Sequence, residues 1–96
     1  MLNYIERAFE IADEEGKNFA ASVIELMELD DVERAFENEE LTEFISYEVE
    51  AYMIYDDDKW ELMKEYCDPE EANYNDAREK AIDDIENYLR IARRER

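Results

Sequence analysis

The 96-residue chain contains no histidine, one cysteine, one proline and one glycine. Without histidine it lacks the side chain most often used for proton transfer near neutral pH and the commonest metal ligand, and Ser-His-Asp and Cys-His arrangements are excluded. Cys67 alone can form neither an intrachain disulfide nor a thiolate zinc cluster, which suits a reducing cytosol. It reads as a small hydrophobe on the helical arc of Trp60. With Gly16 and Pro69 unique of their kind, few turns demand special backbone angles, and no repeat, linker or boundary divides residues 1–96 into more than one domain. No apolar run approaches the ~18 residues of a membrane span. The N-terminus, MLNYIERAFEIADEEG, carries acids inside its apolar pattern and no basic flank, unlike a signal peptide. A soluble, cytoplasmic protein is the expectation.

Positive charge is also scarce. Eleven bases stand against 30 acids, a net charge of −19. Such a field repels nucleic acid and anionic membranes and attracts cationic proteins. The imbalance is local: residues 1–77 carry a net −20 and residues 78–96 a net +1. Within residues 28–58 thirteen acids meet one base, Arg34. Disorder does not follow, because 46% hydrophobic content with twelve aromatic residues supplies enough apolar surface to pack.

Apolar residues recur at spacings of three and four, which predicts an all-α single-domain bundle of five to six helices. A first helix over residues 2–14 turns Tyr4, Ile5, Ala8, Phe9, Ile11 and Ala12 to one side, and Gly16 fits a left-handed C-terminal position. Asn18 is the expected cap of a second helix reaching about Leu29, with Phe19, Val23, Leu26 and Met27 inward. Asp30 and Glu33 have capping-box spacing for a short third helix. Residues 39–55 read as a helix with Glu48 in the middle of its apolar face, to be paired with Arg34 or Arg78 or placed at the core edge. The alternative is an α+β fold with a strand near residues 45–55, where apolar and polar residues alternate. Further helix starts lie at Asp58 and at Asp68-Pro69. A break is allowed near Asn73 and Asn75, and a final helix runs from about Asp76 to Arg94.

Chemistry is poorly represented. Acid pairs such as Asp83-Asp84 arise by chance in a chain nearly one third carboxylate, and a solvated helix face accounts for them. The calcium-loop pattern fails in both registers of the Asp56–Asp58 run, because Trp60 falls where a ligand is required. No enzyme, cofactor or metal is expected. Helix caps account for Asp30 and Asp58. Of the remaining acids, Glu37, Glu39, Glu40, Glu43, Glu50, Asp56 and Asp57, together with Tyr47 and Ile54, form the expected partner-binding surface, because carboxylates bind arginine while a neighbouring ring stacks on it. Acids one helical turn apart lie ~5.4 Å apart, against ~3.4 Å between phosphates along a DNA strand. The expected function is therefore an acidic DNA mimic that blocks the nucleic-acid groove of a basic host protein, of the anti-restriction or anti-CRISPR type carried by phages and mobile elements, without binding nucleic acid itself. The alternative is a non-enzymatic interaction or regulatory subunit, such as an antitoxin, on a basic partner. A homodimer through the neutral C-terminal helix is a further expectation.

Overall fold

In the computed structural model, residues 3–54, 66 and 74–95 are described. They form five helices, α1 (Tyr4–Glu14), α2 (Asn18–Glu25), α3 (Leu29–Glu37), α4 (Leu41–Ile54) and α5 (Tyr74–Glu95). No strand occurs among the described residues, and the fold is an all-α bundle. The choice over residues 41–54 is resolved for the helix: Leu41, Ile45 and Val49, spaced by four, are all buried. Trp60, Cys67 and the helix starts expected at Asp58 and Asp68 lie outside the described residues.

Local chemistry sets most boundaries. Asn3 caps α1, its Oδ1 accepting from the amides of Ile5 at 2.9 Å and Glu6 at 3.1 Å, so two donors that the helix leaves open are satisfied. The other end closes on Gly16 at φ +74. There the Lys17 amide reaches Ala12 O at 2.9 Å and the Gly16 amide reaches Asp13 O at 3.0 Å, the paired bonds of a Schellman turn. Helix α3 ends in the same way. Glu40 N bonds Ala35 O at 2.9 Å and Glu39 N bonds Phe36 O at 3.3 Å, but here the left-handed residue is Glu39, at φ 57.

Three expected boundaries are corrected. Asn18 is the first residue of α2 rather than its cap, and Lys17 in the cap position makes no side-chain bond. Helix α2 stops at Glu25, where Leu26 N and Met27 N bond the carbonyls of Val23 and Ile24 at 3.1 and 3.0 Å. This tightened last turn changes the angular phase, so Met27 is buried while Leu26, expected inward, is 62% exposed. Helix α3 begins at Leu29, with Glu28 at the cap and no side-chain bond, so Asp30 sits in the first turn. There it complements the positive helix end instead of capping it.

The core forms around α5, which packs along α1, α2 and α4. Its residues Ala77, Ala81, Ile82, Ile85, Tyr88, Leu89 and Ala92, recurring at helical spacing along one side, are all buried. Asn75, where a break was allowed, is inside the helix. Tyr66 is buried edge-on against Phe19, their ring centroids 6.4 Å apart, and Phe19 also meets Tyr52 edge-on.

The two Schellman turns make opposite predictions. A Cβ at Gly16 meets no atom within 4 Å, so the only penalty on Gly16→Ala is conformational, about 1 kcal/mol of lost stability. At Glu39 the glycine variant should exceed the alanine variant by about 1 kcal/mol, since both remove the charge and only glycine relieves the left-handed strain. Urea denaturation of the three variants measures both differences.

Candidate functional site

The turn between α3 and α4 carries a run of exposed carboxylates: Glu37 ends α3, Glu39 and Glu40 form the turn, and Glu43 lies on the first turn of α4. Beside them, Asp31, Arg34, Ala35, Glu40, Glu43, Phe44 and Tyr47 line a groove of about 310 Å³ between the two helices. Tyr47 is 71% exposed. Solvent exposure of so large a ring leaves its apolar faces available to a cation or a second aromatic surface.

Charge compensation on this face is thin. Arg34 approaches Asp31 at 3.8 Å, and both side chains are largely solvated, a pair that contributes little. Among the described residues, Glu28, Asp30, Glu37, Glu39, Glu40 and Glu43 have no basic partner. Farther along α4 the situation changes. Glu50, expected in the same surface, accepts from Arg78 Nε of α5, whose terminal nitrogen also donates to Ser46. Its charge is balanced within the fold. Ile54 closes α4, while its side chain, Asp56 and Asp57 lie outside the described residues. The structure thus brings together Glu37, Glu39, Glu40, Glu43 and Tyr47 and ties Glu50 to α5.

Glu48 lies half-buried at the core edge. Neither proposed base reaches it, since Arg34 turns to Asp31 and Arg78 to Glu50. Burial raises its carboxyl above the ordinary range, and the Asp31 carboxylate raises it further. On the opposite side of α3 the acids are answered: Arg93 of α5 meets Glu33 at 3.6 Å and covers the Phe36 ring at 4.4 Å. Tyr4 packs edge-on against the same ring, and burial with the Glu33 carboxylate pushes its hydroxyl up to about 12, opposed by Arg93.

Asp31 and Phe44 belong to the groove but not to the surface expected from sequence. Phe44 reads as a core residue by its period, and Asp31 as part of a helix start; only the packing of α3 on α4 makes them neighbours of Tyr47. Among the described residues no group of three or more histidine, cysteine or acidic side chains is placed to hold a metal ion, and no helix there is long and apolar enough to cross a membrane. What the groove can do is accept a guanidinium or ammonium group between carboxylates and rings.

The raised carboxyl has a pH signature. An acid whose folded value exceeds its unfolded one binds its proton more tightly when folded, so its penalty is absent at low pH and grows as pH rises through the ordinary glutamate range to the folded value. Glu48→Gln should therefore gain stability relative to the parent between about pH 4 and about pH 7. Paired urea titrations at the two pH values read that gain; a constant difference would contradict it. Compared with known proteins, the chain matches no family model, no curated protein and no solved structure.

Proposed function

We propose that the protein is an acidic inhibitor that occupies the nucleic-acid groove of a basic host protein by presenting its α3–α4 face in place of a phosphate backbone. The observation that carries this reading is the set of exposed carboxylates Glu37, Glu39, Glu40 and Glu43, without a basic partner among the described residues, beside the exposed Tyr47. On a chain of net charge −19, such a face gains most from lysine and arginine arrays of the kind that bind nucleic acid. Glu39 adds to it, because a side chain is held at a left-handed position where glycine is easier to accommodate. Strain retained at a surface turn fits a functional role for the carboxylate. The reading involves no catalytic step, and its targets are defence or DNA-binding proteins of the host cell, with anti-restriction and anti-CRISPR activity as the specific forms. Glu50 contributes less than the others, since Arg78 already holds it.

A regulatory subunit or antitoxin on a basic partner would use the same surface, and the exposed Tyr47 ring favours it as much as mimicry does. Competition separates them. In a pulldown from bacterial lysate, duplex DNA should displace this protein from the captured partner; a partner that holds both together excludes mimicry. Affinity should fall steeply from low to high salt, and replacing Glu37, Glu39, Glu40 and Glu43 by glutamine should flatten that dependence. Salt-independent binding would favour the subunit reading. Tyr47→Ala should weaken the complex by about tenfold or more, as loss of an aromatic anchor does, with little change in folding stability because the ring is solvated.

A further inference from the structure

A second surface is built differently from the acidic face. Between α1 and the α2–α3 link, Asn3, Ile5, Glu6, Phe9, Glu10, Glu25 and Met27 line a groove of about 500 Å³. Ile5 and Phe9 are one helical turn apart on α1; Ile5 and Met27 are buried and form the floor of the groove, and Phe9 is partly exposed at its wall. The apolar lining thus combines a β-branched side chain, a ring and an adaptable thioether. Glu6, Glu10 and Glu25 supply the acidic rim. Arg7 takes part of the Glu10 charge at 3.4 Å and that of Glu95 at 2.8 Å, while Glu6 and Glu25 have no basic partner among the described residues. Leu26, between two lining residues, is 62% exposed. Among the described residues the exposed large hydrophobic side chains are Leu26 and Tyr47, the latter on the α3–α4 face.

From this geometry we infer that the α1/α2 groove docks a basic amphipathic helix of a partner protein, an apolar side chain entering between Phe9 and Met27 while flanking lysines or arginines meet Glu6 and Glu25. The occupant follows from complementarity. The apolar lining excludes a purely cationic strand as the best fit, and the carboxylate rim excludes an acidic or neutral segment. The polar group that could select a small polar ligand, Asn3 Oδ1, is already used by the α1 amides. Docking here is independent of the α3–α4 reading, because no residue is shared between the two grooves.

The test uses the full chain, isotope-labelled for amide NMR, and two synthetic peptides of equal length and charge: one with leucines at i, i+3, i+4 and i+7 among lysines, the other polylysine with neutral polar residues in place of leucine. The leucine–lysine peptide should bind about tenfold or more tightly, as burial of a leucine side chain implies, and should shift the amides of Phe9, Glu25, Leu26 and Met27. Leu26→Asp and Glu25→Lys, both at exposed positions, should each weaken it several-fold, whereas Glu43→Lys should leave the preference for leucine unchanged. Equal affinity for the two peptides would overturn the inference. So would shifts confined to residues 37–47, a result that leaves the α3–α4 reading intact. Concentration-dependent shifts of the groove amides without peptide would assign it to a second copy of the chain and would equally overturn it.

Discussion

The apolar stripe of α5 is buried against α1, α2 and α4, and the same helix delivers cations to the acids of the helices it covers. Ile85 and Leu89 are fully enclosed, each contributing on the order of 2 kcal/mol by leaving water. Arg78 meets Glu50 on α4, Arg93 meets Glu33 on α3, and Tyr88 donates to Glu15 at 2.6 Å beside the end of α1. Glu95 at the far end takes Arg7 of α1 at 2.8 Å. Partly exposed pairs of this kind are individually weak. Their placement still matters in a chain of net charge −19, because each sits where two acid-bearing helices would otherwise repel.

Once α5 is docked, Arg78, Arg90 and Arg93 are paired with acids and its apolar side is covered. Among the described residues, Asp30, Glu37 and Glu43 of α3 and α4, with Glu39 and Glu40 of the turn between them, then have no basic partner, and they form the candidate surface. Its boundary is set by reach: Arg78 extends as far as Glu50 and Ser46, and Arg93 as far as Glu33 and Phe36. Neither forms an ion pair with Glu39 or Glu40, although Arg93 lines a pocket beside Glu39. Glu48 sits between the two regimes, half-buried and without a basic partner among the described residues, and burial together with the Asp31 carboxylate raises its carboxyl. The covering of the α5 stripe also bears on self-association, since the apolar residues available for a helix-to-helix dimer are those already holding the bundle together.

The fold class was legible from sequence because helical periodicity is a local property. The α5 stripe and the α1 stripe are repeated at spacings of three and four, and Gly16 marks a left-handed turn by its lack of a Cβ. Boundaries were less legible where two local signals compete. Asn18 and Asp30 have capping chemistry, yet α2 and α3 begin at or before them; a polar side chain near a helix start serves the first turn as well as the cap. The reversal of Leu26 depends on the i→i+3 closure of α2, which no residue type at that position announces.

Sequence alone determined that the protein is helical, that it lacks histidine chemistry, and that the charge is concentrated between Glu28 and Asp58. It also singled out Glu37, Glu39, Glu40, Glu43 and Tyr47 as a candidate surface, since local density of acids and an aromatic on the polar side of a helix are visible in the order of residues. Tertiary structure decided which acids are left without cations. Arg78 is 28 residues from Glu50 and Arg93 is 60 from Glu33, and pairing over such separations is fixed by helix packing rather than by composition. The same packing turned Asp31 and Phe44 into a groove and opened the α1/α2 surface, because a groove belongs to two elements and neither one encodes it alone.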